Sequence, residues 1–162
     1  MEAYISLGAN LGNRMAALDA AVAALDRLPG TKVTAQSSTY ETAAFGVNGE
    51  QPDYLNRVII IETAFSPAAL LGICMGIEAA LGRERGDQDK APRVIDMDVL
   101  LCGENGNVIT SDTEELQLPH PRMLERAFVL QPIAELKPAK TALNLDFSEE
   151  FERTSDQQIH KL

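Results

Sequence analysis

The stretch Arg93-Val94-Ile95-Asp96-Met97-Asp98-Val99-Leu100-Leu101 limits most sharply what this chain can build. Side chains alternate across a β-strand, so Asp96 and Asp98 share one face while Ile95, Met97 and Val99 share the other. Such a strand must lay its apolar face on a core. It must also keep its carboxylates at a polar cleft, because two like charges in apolar surroundings repel each other and lose hydration. Residues 94–102 therefore read as a strand that carries a site. The pair of carboxylates has two readings. They are hard oxygen ligands for Mg²⁺, an ion commonly held by one or two carboxylates plus substrate phosphates, or each pairs with a surface Arg. The Asp-x-Asp pattern alone leaves both open.

The segments around it fall into a recognisable order. Ala3 to Leu7 is a short apolar run that meets Gly8 and reads as a strand. Asn13 then serves as an N-cap for a helix in which Met15, Leu18, Val22, Leu25 and Leu28 recur at helical spacing, ending before Pro29-Gly30. Residues 32–42 are rich in Val, Thr and Ser and read as a strand, and 43–53 as a long loop. Tyr54 to Thr63 is a strand with the β-branched centre Val58-Ile59-Ile60-Ile61. Ser66-Pro67 starts a helix through Leu70, Leu71, Cys74, Ile77, Glu78 and Leu81, which Gly82 ends. A polar loop, 83–92, leads into the 94–102 strand. Val108-Ile109 and Leu116 to Leu118 read as short strands, and Arg122 to Leu136 as one helix around Phe128, Val129 and Ile133. The order β-α-β-β-α-β predicts an α+β fold on the ferredoxin-like, split βαβ plan: a mostly antiparallel sheet with helices packed on it. One catalytic domain is expected over 1–136. Residues 137–162 read as a polar, acidic C-terminal extension, part of the same domain or a loose tail, with no assigned role.

Charge narrows the function. With 14 Lys and Arg against 24 Asp and Glu, the formal net charge is −10. A long nucleic acid is a poor partner for that total, and 5% aromatic residues are few for the stacking platforms of an RNA-binding module. No apolar run approaches the ~20 residues of a membrane span. The start of the chain, Met1-Glu2-Ala3-Tyr4, has no secretory pattern. Cys74 and Cys102 fall inside apolar patterns and read as buried thiols in a reducing cytoplasm. Yet Arg83, Arg85, Lys90, Arg93, Arg122 and Arg126 put six of the 14 cations between residues 83 and 126. Concentrated Arg in an acidic chain suits a compact polyanion such as a nucleotide, although scattered surface ion pairs would give the same count.

Carboxylates that can hold a metal, forked cations and His120 in Pro119-His120-Pro121-Arg122 together make phosphoryl-transfer equipment. Gly8-Ala9-Asn10-Leu11-Gly12 lacks the Walker pattern, so phosphates would be held by metal and Arg instead of a backbone cradle. Tyr54 and Asn56 share one strand face. A ring beside an amide suits a flat heterocycle with amide-like edges, while a core Tyr and a solvent-facing Asn fit the pattern too. Phe45 and Phe128 stand between stacking on a ligand and packing in the core.

The motifs Ser6-Leu7-Gly8-Ala9-Asn10-Leu11-Gly12, Ser37-Ser38-Thr39-Tyr40-Glu41-Thr42, Gln51-Pro52-Asp53-Tyr54-Leu55-Asn56, Pro92-Arg93 with Asp96-Met97-Asp98-Val99-Leu100, and Pro119-His120-Pro121-Arg122-Met123 with Glu125-Arg126-Ala127-Phe128-Val129-Leu130 occur in one order and spacing. Together they resemble the 6-hydroxymethyl-7,8-dihydropterin pyrophosphokinases of folate biosynthesis. The resemblance implies transfer of the β,γ-pyrophosphoryl group of ATP to the pterin hydroxymethyl oxygen by a cytoplasmic monomer. A nucleotide- or pterin-binding module without turnover is the alternative. The resemblance further implies that Asp96 and Asp98 hold two Mg²⁺ ions, that Arg83 and Arg93 act in catalysis, and that Arg85, Arg93, Val99, His120 and Arg126 contact ATP. Thr42, Phe45, Tyr54, Asn56 and Phe128 would form the pterin pocket, and Glu78 matches an acidic helix position. The chain departs from the family pattern at Lys90, where Trp is frequent, at Asp89 before it, at Ala44 in place of Pro, and at Glu115 and Gln117 near the nucleotide.

Overall fold

A computed structural model of the chain describes residues 1–43, 52–82 and 94–162. The core of the fold is β1 (Glu2–Ala9), flanked on both sides by antiparallel neighbours. The chain leaves β1 for α1 (Arg14–Asp26), then forms β2 (Thr31–Gln36), β3 (Tyr40–Thr42) and β4 (Tyr54–Thr63). It continues through α2 (Pro67–Ala80) to β5 (Asp96–Glu104). β1 pairs with β4 and β5, while β2 and β3 both pair with β4, all antiparallel. This is the expected split βαβ arrangement.

Local chemistry explains the helix starts. Asn13 accepts a hydrogen bond from the Ala16 amide and Ser66 from the Ala69 amide, each relieving an orphan donor of the first turn. Gly82, at φ +99°, follows α2 where a left-handed residue closes the last turn.

The sheet is buried on both faces. Ala3, Ile5, Leu7, Ile59, Ile61, Met97 and Val99 form one core with Leu18 and Leu25 of α1 and Leu70 of α2. Tyr4, Val58, Ile60, Leu100 and Leu101 form the other, against the helix described below. Leu100 and Leu101 reach the same core because the β1–β5 register shifts: Tyr4 faces Leu101, Ile5 faces Val99, and Leu100 is the extra residue of a bulge.

Three expectations are corrected. Residues 32–42 are two strands, because Ser37 leaves the ladder: its amide bonds the Val58 carbonyl at 2.9 Å and its hydroxyl accepts the Val58 amide at 3.0 Å. The strand expected from Val94 begins at Asp96. After β6 (Asn107–Val108) and the hairpin of β7 (Ser111–Asp112) with β8 (Gln117–Leu118), the segment 122–136 is not one helix. It is a 3₁₀ turn, Met123–Glu125, then an extended Arg126 (φ −122°, ψ 114°), then α3 (Ala127–Leu136).

The extension is built into the sheet. A hairpin of β9 (Thr141–Ala142) and β10 (Leu145–Asp146) and the short α4 (Ser148–Arg153) bury Ala142 and Phe147 in the α3-side core. β11 (His160–Lys161) then pairs with β3 at the sheet edge. The long loops expected at 43–53 and 83–92 fall mainly on residues 44–51 and 83–93, outside the described residues.

Candidate active site

One row of residues facing each other across the sheet sets the geometry. Gly8 stands opposite Asn56 on β4 and Asp96 on β5, and Asn56 stands opposite Tyr40 on β3. One step along, Ser6 faces Asp98; one step outward, Tyr54 faces Thr42. Period-two alternation turns all these side chains to the α3 side. All of them except Tyr40 enclose, with Arg126 and Phe128, a cavity of about 240 Å³. Gly8 forms its open floor: a Cβ there would lie 3.5 Å from Asn56 Oδ1 and 3.8 Å from Tyr54 Cδ1. Asn56 is 4% exposed and its Nδ2 donates to Thr42 Oγ1 at 2.9 Å, which fixes the amide with its other polar atom near Gly8. The Arg126 guanidinium lies 5.4 Å from the centre of the Phe128 ring, a cation–π distance.

Asp98 also borders a second cavity of about 280 Å³, walled by Leu71, Met97, Val99 and Leu116 and rimmed by Glu114, Glu115, Gln117 and His120. The His120 amide donates to the Leu100 carbonyl at 2.8 Å, and its Nδ1 accepts from the Arg122 amide at 3.1 Å. Burial, then the Arg126 and Arg122 charges, push the ring below its ordinary value, against an opposite pull from Asp96. The imidazole is therefore neutral at pH 7, with its proton on Nε2 as a single donor. Glu78 is buried on α2 beside Leu70 and Cys74.

Thus Thr42, Tyr54, Asn56, Asp96, Asp98, Arg126 and Phe128 meet around the first cavity, and Val99 and His120 around the second. Phe45, Arg83, Arg85, Lys90 and Arg93 lie outside the described residues. Three residues that shape the site carry no sequence-level role above. Arg14 Nη1 donates both to Glu41 Oε2 at 2.9 Å and to the Asp53 carbonyl at 2.7 Å, tying β3 to the entry of β4. Its place just after the Asn13 cap was the one available signal. Glu135 on α3 accepts from the Ser38 amide and hydroxyl and from Tyr40 OH, at 2.9, 2.8 and 2.5 Å. Gln157 grips the backbone on both sides of Arg126.

Two carboxylates on one strand face suit an ion that takes its remaining oxygens from phosphates and water; among the described residues no cluster of three or more His, Cys, Asp or Glu forms a self-sufficient metal cage. A sequence profile of the 7,8-dihydro-6-hydroxymethylpterin-pyrophosphokinase (HPPK) family matches residues 4–138. The chain belongs to the HPPK family. It is 46% identical over 136 residues to the 2-amino-4-hydroxy-6-hydroxymethyldihydropteridine pyrophosphokinase of Methylorubrum extorquens, covering 84% of this chain and 82% of that one. To the Bacillus subtilis enzyme of the same name it is 43% identical, covering 83% and 77%. The wild-type HPPK-DHPS crystal structure from Plasmodium falciparum superposes with a TM-score of 0.66 at 14% identity, over 94% of this chain and 43% of that longer one. At that identity the likeness speaks for the fold, and the chain spans less than half of the longer protein. The HPPK match stops at residue 138, short of α4 and β11.

Proposed function

We propose that this chain transfers the pyrophosphoryl group of ATP to 6-hydroxymethyl-7,8-dihydropterin, giving AMP and the pterin diphosphate, a step of folate biosynthesis. The observation that carries the reading is the row Asn56–Gly8–Asp96. It sets a heterocycle-reading amide at one end, an open floor in the middle and a metal-type carboxylate at the other. The pterin ring lies over Gly8, its edge hydrogen-bonded by Asn56 and its face against Phe128. Its hydroxymethyl arm points toward β5.

The hydroxyl oxygen attacks the β-phosphorus of ATP. A bond forms between them, the bond from that phosphorus to the oxygen shared with the α-phosphate breaks, and AMP leaves with the shared oxygen. The hydroxyl proton passes to solvent. Such a reaction asks the protein mainly for positioning and charge stabilisation. Asp96 and Asp98 hold Mg²⁺, two ions by the family pattern, which when bound neutralises phosphate charge. His120 donates one uncharged hydrogen bond from Nε2 at the nucleotide side, and Arg126 stands with Phe128 on the wall of the first cavity, its charge felt at His120. By the resemblance, Arg83 and Arg93 would act in catalysis and Arg85 and Arg93 would bind ATP. The enzyme works as a monomer in the cytoplasm; among the described residues no helix is long and apolar enough to cross a membrane.

The test is product analysis with ATP, Mg²⁺ and hydroxymethyldihydropterin. Pterin-dependent AMP is the expected product. ADP in place of AMP, or pterin binding without turnover, would reject the reading.

A further inference from the structure

The extended backbone at Arg126 needs a cause, because the sequence around it is helical in pattern and the side chain of Arg126 does not cap α3. The first amide of a helix lacks an internal partner and must find one elsewhere. Here Gln157 supplies it from 30 residues downstream: the Ala127 amide donates to Gln157 Oε1 at 2.9 Å. The same side-chain amide donates from Nε2 to the Glu125 carbonyl at 2.8 Å. One carboxamide thus brackets Arg126 on both sides. It closes the 3₁₀ turn and opens the helix, and so sets the direction in which Arg126 and Phe128 enter the first cavity.

Gln157 is itself held on both flanks. Its amide bonds the Thr154 carbonyl at 3.1 Å at the end of α4, which is anchored by buried Phe147. Beyond it, β11 pairs with β3 and the Leu162 amide donates to the Thr39 carbonyl at 2.9 Å. The stretch from Gln157 to Leu162 therefore runs from one wall of the cavity, the start of α3, to the other, the strand that carries Thr42.

We infer that Gln157 is a positioning residue for the reaction: it acts through the backbone flanking Arg126 to fix Phe128 against the pterin. It is not a catalytic residue, since it lines neither cavity. The inference rests on the pterin reading of the first cavity and adds to it an element outside the residues that define the family match.

The experiment measures pterin affinity by calorimetry on the full chain, with Mg²⁺ and a non-hydrolysable ATP analogue present, for Gln157→Ala, Gln157→Glu, Phe128→Ala and the double variant Gln157→Ala/Phe128→Ala. Losing two hydrogen bonds that orient one contact should weaken pterin binding about three- to tenfold in Gln157→Ala. Gln157→Glu keeps the acceptor for Ala127 and loses the donor to Glu125, so it should fall between Ala and wild type. The double variant should be no weaker than about Phe128→Ala alone, since Gln157 has nothing left to position. Melting temperature is read alongside. Unchanged pterin affinity in Gln157→Ala overturns the inference. So does a loss that adds in full to that of Phe128→Ala, which would mark a general structural effect. If Phe128→Ala itself leaves pterin affinity unchanged, the pterin reading of the cavity fails, a result distinct from failure of Gln157 alone.

Discussion

Gly8→Ala should make the fold more stable and the reaction worse. Gly8 is in the middle strand, and its φ is not in the left-handed region, so an L-residue fits its backbone. The added Cβ would meet its nearest atoms at 3.5, 3.8 and 4.0 Å, all ordinary contact distances. Replacing Gly where the backbone tolerates Ala lowers the entropy of the unfolded chain and stabilises by roughly 0.5–1 kcal/mol. The same methyl, however, stands on the cavity floor between Asn56 and Asp96. A methyl needs about the room of a water, roughly 30 Å³, in a cavity of about 240 Å³. A flat ring resting on that floor must lift or tilt. Overfilling a fitted site typically costs ~1–3 kcal/mol, or about five- to 150-fold in affinity. The assay is steady-state KM for pterin and for ATP, with thermal melting on the same preparations. We expect the pterin KM to rise at least fivefold, the ATP KM to move less than about twofold, and the melting temperature to hold or increase. A pterin KM within twofold of wild type would refute the placement of the ring over Gly8.

Asp96→Ala or Asp98→Ala should lower kcat by more than tenfold, a loss above ~1.4 kcal/mol at the transition state, while the melting temperature holds because like-charge repulsion is relieved; a variant keeping a tenth of wild-type kcat would reject the metal assignment. Glu135 gives a pH signature. Burial pushes its carboxyl up, but the hydrogen bonds from Tyr40 and Ser38 and the nearby Lys161 charge outweigh that and hold it below its ordinary value of 4.5. A carboxyl lowered in the folded state contributes stability that is present above its unfolded value and is lost as pH falls through the folded one. Glu135→Gln should therefore cost about 1 kcal/mol near neutral pH, with the gap closing as pH falls below 4.5; urea midpoints across that range would check it, and a gap independent of pH would refute it.

Local signals were readable and distant ones were not. The Asn13 and Ser66 caps, the Asp96–Asp98 face and the Tyr54–Asn56 pair each depend on residues a few positions apart, so spacing alone placed them. The break at Arg126 depends on Gln157, and the division of 32–42 depends on Ser37 bonding to Val58 across the sheet. No pattern within either segment encodes those partners. The bulge at Leu100 was hidden for a similar reason, because Val99 to Cys102 is apolar throughout and alternation has nothing to mark. The polar, acidic tail was given no role, yet Phe147 and Ala142 anchor it in the α3-side core.

Asn56 and Asp96 are separated by one strand, so their backbones sit two strand spacings apart, roughly 10 Å. That separation is a ruler marked in strand spacings, and no exchange of side chains can stretch it. In the proposed placement it would measure the substrate from the edge of its ring to the oxygen that reacts. A homologue with one more methylene in its arm would carry that oxygen about 1.5 Å too far, and a misplacement of about 1 Å is enough to cost on the order of a hundredfold in rate. Changing which heterocycle is read is thus a matter of side chains on β3 and β4, but changing the length of what is read would require a different sheet.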